Sequence, residues 1–226
     1  MIEETLPVGP FQQNCRILAC PVTGDAVVVD PGADASEIVA RLVKIKTPNG
    51  KSLNVKMLLH THAHLDHVGA TRALKEMLQP GCQPVIALHE GDQQIYEQLA
   101  SQSRMFGLNY GEPLPVDRFL KDGESFTVGI LEFKVIHTPG HSPGGVCFHV
   151  VEKSEAGTSV AELLLSGDTL FQGSIGRTDL MGGNHAQLIG SIKSRLLPLN
   201  GGLRVCSGHG PDTTIGEERE ENPFLR

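Results

Sequence analysis

The order of apolar runs along the chain predicts an α/β protein: two mixed β-sheets with helices on their outer faces, an αβ/βα sandwich. Three observations carry this. Short β-type runs of Val, Ile and Leu recur from end to end. Helical periodicities fall between them, in the order strands, helix, strand, helix, and the pattern then repeats. Glycine-flanked polar residues stand where several of the runs stop.

Residues 15–19 and 26–29 read as strands, the second stopping at Asp30-Pro31-Gly32. Asp34-Ala35-Ser36-Glu37 has the form of an acidic capping box. It opens a helix with Ile38, Val39, Leu42 and Val43 on one face. A strand at 55–59 delivers the chain into His62-Ala63-His64-Leu65-Asp66-His67, after which it turns helical to about Leu78. Residues 84–88 form another strand, and 91–101 a helix. Phe126, Val128 and Ile130 alternate, as do Leu131, Phe133 and Val135, and the phase slips near Gly129, which predicts a hairpin or bulge. Strands at 146–151 and 163–165 are joined across the polar stretch 152–161, read as a hairpin tip, so no domain boundary is needed there. Leu188, Ile189, Ile192 and Leu196 mark one face of a helix, and 203–206 a last strand. One domain over residues 1–226 is expected.

Composition narrows the function classes. Apolar residues make up 39% and charged residues 20%, values of a globular chain rather than a disordered one. A net charge of −7 without any basic run argues against a general nucleic-acid binder, which needs a basic face for phosphates. The five cysteines are scattered and form no C-x-x-C pair, which fits reduced thiols in a reducing compartment. Met1-Ile2-Glu3-Glu4 has neither the basic nor the apolar region of a signal peptide, and no apolar stretch is long enough to span a bilayer. The expectation is a cytoplasmic protein without nucleic-acid or membrane partners.

The chemistry concentrates in four potential ligands within six residues. In an extended segment residues two apart project to one side, so His62 and His64 can face one ion. Asp66 and His67 follow where the chain turns into a helix, and can face a second. Asp66 also sits where a helix N-terminus favours an anion. The spacing differs from H-E-x-x-H, in which both histidines share a helical face. Isolated donors follow other strands: His141 in Thr138-Pro139-Gly140-His141-Ser142-Pro143-Gly144, Asp168 in Ser166-Gly167-Asp168-Thr169, and His209 in Ser207-Gly208-His209-Gly210-Pro211. His and carboxylate ligands with an open position are the pattern of catalytic rather than structural zinc. Ser101, Ser166 and Ser207 make no credible Ser-His-Asp set.

These segments resemble the five motifs of the metallo-β-lactamase superfamily. Within it, Gly167-Asp168-Thr169-Leu170-Phe171 and Gly208-His209-Gly210 are similar to glyoxalase II, the hydroxyacylglutathione hydrolases, of the short single-domain type. The likeness runs from Gln13-Asn14-Cys15 to Asn222-Pro223-Phe224-Leu225. It implies that His62, His64 and His141 bind one metal, that Asp66, His67 and His209 bind a second, and that Asp168 bridges both. It implies hydroxide, from a water shared by two divalent ions, attacking the carbonyl of a small-molecule thioester such as S-D-lactoylglutathione. Asp66 is expected to ligate and to orient the nucleophile or handle its proton. Zinc is the expected metal, though His and carboxylate ligands also accept iron or manganese.

The pattern departs from the longer glyoxalase II enzymes in two places. Their helical C-terminal domain, which supplies glutathione contacts, has no counterpart among the seventeen residues after His209. Gly176-Arg177-Thr178-Asp179 stands where they carry a Gly-Lys-Phe-Tyr-like segment. Arg177 is a candidate contact for a substrate carboxylate, or else an ion-pair partner of Asp179. Arg104 lies in a segment similar to short bacterial glyoxalase II-like proteins, with no assigned role. Gly176 to Asp179 and Asn222-Pro223 also resemble persulfide dioxygenase, which uses one iron and oxygen, but its last motif lacks the Gly-His-Gly that stands here at Gly208-His209-Gly210. A lactonase or lactamase of the same fold is a further alternative, and a nucleic-acid phosphodiesterase is disfavoured by the acidic charge. His60, His137 and His149 read as packed or hydrogen-bonded histidines, with His60 and His137 near enough to support ligands. His185 reads as a cap, and His89 has no visible metal partner.

Overall fold

Two stacked six-stranded sheets form the centre of the computed structural model, which describes residues 1–78, 81–154 and 156–226. The chain runs through β1 (Ile2–Val8), β2 (Gln13–Ala19), β3 (Asp25–Val29), α1 (Ala35–Lys44), β4 (Asn54–Leu59), α2 (Leu65–Val68), α3 (Thr71–Met77) and β5 (Val85–His89). It continues through α4 (Gln93–Glu97), α5 (Leu99–Met105), β6 (Arg118–Leu120), β7 (Ser125–Val128), β8 (Leu131–His137), β9 (Val146–Lys153) and β10 (Ser159–Gly167). It ends with β11 (Leu170–Phe171), β12 (Ser174–Ile175), α6 (His185–Ser191), β13 (Arg204–Ser207), β14 (Thr213–Thr214) and α7 (Ile215–Glu221).

The first sheet has the order β1-β2-β3-β4-β5-β6 and the second β14-β13-β10-β9-β8-β7. Both are mixed: β3 to β6 run parallel in the first sheet, and β10 and β13 in the second. Strand periodicity sorts the side chains. Val27, Val29 and Leu59 point into the space between the sheets and meet Phe133, Phe148 and Leu165. Val28, Leu58 and Ile86 point outward beneath Ile38 and Leu42 of α1 and Leu74 of α3. Ile136, Leu164 and Val205 do the same on the other side beneath Leu188, Ile192 and Leu196. The layers are therefore helix, sheet, sheet, helix, the expected αβ/βα sandwich. Truncating a fully buried ring such as Phe148 to Ala would cost about 3–5 kcal/mol.

Several local expectations change. Asp34 does not cap α1: its backbone is left-handed (φ 52°), and its carboxylate accepts a hydrogen bond from Gly9 N at 2.7 Å instead. The helix after His67 is broken at Gly69 and Ala70, because Ala70 N donates to Pro31 O (2.9 Å) rather than continuing the ladder. The expected helix at 91–101 is a 3₁₀ turn followed by α4 and α5. Asn184, not His185, caps α6, accepting from Gln187 N at 3.0 Å. The tip between β9 and β10 is shorter than 152–161, and Glu155 within it lies outside the described residues. β1, β6, β14 and α7 carry no periodic signal that the sequence reading resolves. No described helix is long and apolar enough to cross a membrane.

The topology brings the loops after β4, β8, β10 and β13 to one end of the sandwich. Val146 N donates to Thr61 O (2.8 Å) and Asn14 N to Gly208 O (2.7 Å), so the two sheets are stitched together there, while Gly208 N donates to Gly167 O (2.8 Å) within the second sheet.

Candidate metal centre

All seven expected ligands meet at this end. His141 Nε2 lies 2.8 Å from His64 Nδ1 and 3.1 Å from His62 Nε2. His209 Nε2 lies 3.1 Å from Asp66 Oδ2, and His67 Nε2 lies 3.8 Å from the same oxygen. Asp168 stands between the groups: Oδ1 is 3.2 Å from His67 Nε2, and Oδ2 is 3.7 Å from both His141 Nε2 and His209 Nε2. The three sets His62/His64/His141, Asp66/His67/His209 and His62/His67/Asp168 each gather donor atoms within 4.8 Å of one another, close enough to share an ion.

The rings are aimed by groups behind them. Asp30, at the end of β3, accepts from Thr61 N (2.8 Å), Thr61 Oγ1 (2.7 Å) and His67 Nδ1 (3.0 Å). Because Thr61 Oγ1 donates to Asp30, it accepts from His62 Nδ1 at 3.1 Å. One carboxylate thus fixes the tautomers of His62 and His67, leaving Nε2 of each free to ligate. Asp30 takes a left-handed backbone (φ 52°) to do so, a conformation sparsely populated by non-glycine residues. His141 Nδ1 donates to Arg177 O at 2.7 Å, which frees its Nε2 in the same way. Buried Asp92 accepts from Ala63 N (2.9 Å), Ser142 Oγ (2.8 Å) and Gly144 N, tying the His62–His64 segment to the His141 loop. Asn14 Nδ2 donates to Ser207 O (3.1 Å) and Gly210 O (2.9 Å) and so holds the His209 loop. Gly208 is required by close approach, since a Cβ there would lie 2.3 Å from Asp168 Oδ1.

The electrostatics divide the site. Burial, reinforced by neighbouring imidazoles, pushes His62 well below its usual range and His64 down to about 3. Burial also opposes charge on His67, but the carboxylates of Asp168, Asp66 and Asp30 outweigh it and raise the imidazole well above its ordinary value. His209 is raised too, against its burial, by Asp66 and Asp168. Burial would raise Asp66 and Asp168, yet His67 and His209 keep both carboxyls below the ordinary range. Asp30, Asp66 and Asp168 thus crowd around His67, and Asp66 and Asp168 around His209, so this end of the fold gathers acidic side chains about two imidazoles. A divalent cation would answer the acidic side chains with a concentrated positive charge and take the neutral imidazoles as ligands. His67 Nε2 and Asp168 Oδ1 are buried without a hydrogen bond although 3.2 Å apart, the state of two atoms shaped for a shared ion. The donor set fits two metal ions.

A fourth set, Glu3, Cys206 and Asp212, differs in kind. Arg16 and Arg204 each contact both of its carboxylates, so the charge is already balanced. The remaining histidines serve structure. Buried His60 is pushed down to about 4 by burial and meets Thr71 Oγ1 at 3.3 Å. His149 pairs with Glu162 at 2.9 Å. His137 Nε2 meets Pro143 O (3.0 Å) on the His141 loop and stacks on His89, ring centroids 4.1 Å apart. Ser166 and Ser207 both donate to Leu170 O, and Ser101 to Gln98 O, so none faces a histidine as a nucleophile would.

A cavity of about 640 Å³ opens over the donors, with His64, Asp66, His141, Asp168 and His209 in its floor. Arg177 lies on its wall, but Asp179 holds the guanidinium through two 2.7 Å hydrogen bonds, Nε to Oδ1 and Nη2 to Oδ2. Of the two expected roles of Arg177, the ion pair with Asp179 is the one formed in this conformation. Arg104 is exposed and does not line the cavity, whereas its neighbours Met105 and Phe106 do. Sequence reasoning missed Asp30, Asp92 and the apolar cavity wall. Asp30 carried the signal of ending a strand, as the ligands do, but Asp-Pro-Gly reads as a turn.

Comparison with known proteins places this geometry. The metallo-β-lactamase superfamily profile matches residues 8–209. The hydroxyacylglutathione hydrolase GloC of Haemophilus influenzae is 40% identical over 223 residues, covering 98% of this chain and 97% of that protein. Among solved structures, BLEG-1, described as a B3 metallo-β-lactamase, aligns with a TM-score of 0.82 at 38% identity, covering 99% of each chain. TTHA1623, solved in a di-iron-bound form, aligns with a TM-score of 0.79 at 38% identity over 98% of this chain and all of its own.

Proposed function

Because the chain belongs to the metallo-β-lactamase superfamily of metallohydrolases, we propose that it hydrolyses thioesters of the hydroxyacylglutathione type, taking S-D-lactoylglutathione to D-lactate and glutathione. The observation that carries the substrate is the 40% identity to GloC over nearly the full length of both chains. The chemistry rests on two ligand groups that meet at Asp168.

In this reading His62, His64 and His141 hold one divalent ion, Asp66, His67 and His209 a second, and Asp168 serves both. Zinc is the first choice, and iron or manganese suits the same donors. Bound there, the ions lower the pKa of water and polarise a carbonyl oxygen. Asp66, on the cavity floor, would orient the attacking water or take its proton. His62 and His67 keep their Nε2 atoms toward the site because Asp30 and Thr61 fix their outer nitrogens. Water adds to the acyl carbon, the C–S bond breaks, and the proton released by the attacking water passes to the departing sulfur. The substrate is a small molecule, with no nucleic-acid or membrane partner. Five free cysteines fit a reducing compartment, and a cytoplasmic site of action belongs to the same proposal.

A second reading, hydrolysis of a β-lactam or lactone, is favoured by the likeness to BLEG-1. Metal-loaded protein incubated in parallel with S-D-lactoylglutathione, a β-lactam and a lactone separates the two. Equal release of D-lactate and free thiol supports the thioester reading, whereas turnover of the ring substrates alone replaces it.

A further inference from the structure

The cavity over the metal-binding residues has a wall that the hydrolytic chemistry leaves unused. Phe11 comes from the turn between β1 and β2, Ile95 from α4, Met105 and Phe106 from the end of α5, and Leu180 and Met181 from the segment before α6. All face the cavity that holds Asp66 and Asp168. Phe11 and Phe106 meet edge to face across it, ring centroids 5.7 Å apart. Met105 is 83% exposed and Phe106 59% exposed, so these side chains are not there to fill the protein core. Large apolar groups gathered from separate loops around a polar floor form a surface that an apolar ligand group covers.

The charged alternatives match poorly. Arg177 is the single Lys or Arg among the described residues lining the cavity, and Asp179 already pairs with it. A glutathione moiety, with two carboxylates and one ammonium group, has little to bury against this wall. A lactoyl group brings one methyl. We propose that the wall receives the acyl side of the substrate, and that the chain selects thioesters whose acyl group is bulky and apolar over the lactoyl compound. This rests on the thioester reading and narrows it to a substrate class. The bonds made and broken are those given above; the acyl side chain only changes its burial.

Two matched comparisons test this on the metal-loaded protein. S-mandeloylglutathione and S-lactoylglutathione are both 2-hydroxyacyl thioesters and differ as phenyl against methyl. Burying the ring should raise kcat/KM about tenfold, mainly through KM. Phe106→Ala should lower that ratio about threefold or more, and Phe106→Leu should restore most of it. The second comparison is calorimetric binding of S-hexylglutathione and S-methylglutathione, thioethers that cannot be hydrolysed, with the hexyl compound about tenfold tighter. A mandeloyl-to-lactoyl ratio of one or less, or equal loss on both substrates in Phe106→Ala, would overturn the selectivity while thioester hydrolysis stands. If no thioester is cleaved yet the hexyl preference holds and falls in Phe106→Ala, the apolar wall stands and the thioester reading fails. Absence of both turnover and hexyl preference removes both.

Discussion

The floor of the cavity and its rim are built in opposite ways. At the floor and directly beneath it His62, His67 and His141 are buried and held by hydrogen bonds to Asp30, Thr61 and the Arg177 carbonyl. On the rim Phe11, Met105, Phe106 and Met181 are exposed and set on turns and helix ends, with Phe11 and Phe106 meeting edge to face. A floor of this kind sets the reaction, because ligand geometry must be fixed before an ion arrives. A rim of this kind sets the substrate, because loops change without disturbing the sheets beneath. Substitutions on the floor should therefore change whether the chain works, and those on the rim what it works on.

The largest expected effect is at Asp168, the carboxylate that faces both ligand groups. Asp168→Ala should lower the bound metal measured by elemental analysis and reduce kcat/KM by more than the roughly 100-fold that a supporting residue costs. Asp30→Asn comes next. If the amide oxygen keeps the bonds from Thr61 Oγ1 and His67 Nδ1, its NH2 group faces the donor Thr61 N that the second carboxylate oxygen accepts from, so metal affinity should fall about 10–100-fold in a competition titration with a chelating dye. If Asp30→Asn binds metal as tightly as the parent, the division between floor and rim is wrong at its best-defined point. Removing the metal with a chelator should lower Tm by about 10 °C, because the floor then loses the ions that balance its carboxylates. The smallest effect belongs to the rim ion pair: Arg177→Ala should change KM for S-D-lactoylglutathione by less than about fivefold. A larger change would mean that Arg177 leaves Asp179 to meet the substrate.

The same division accounts for what the amino-acid sequence revealed. His62, His64, Asp66 and His67 were legible because four donors in six residues, between an apolar strand and a helix, have little use except to hold metal. His141, Asp168 and His209 were legible because each follows a strand and stands among glycines. Asp92 was not, since an acid at a polar helix start reads as a cap; only the fold shows it buried under the His141 loop. β1 escaped notice because it is an edge strand that buries little beyond Leu6 and Val8, so no strict alternation marks it. Rim residues escaped for a related reason: Phe11, Met105 and Met181 follow no period, and their convergence depends on loop paths that periodicity does not encode.

The central claim is tested most directly by product analysis on one sample of known metal content. With about two metal ions per chain, S-D-lactoylglutathione should disappear with equal appearance of D-lactate and free thiol. A fully loaded sample that leaves the thioester intact, or one holding a single iron and consuming oxygen with glutathione persulfide, would contradict it.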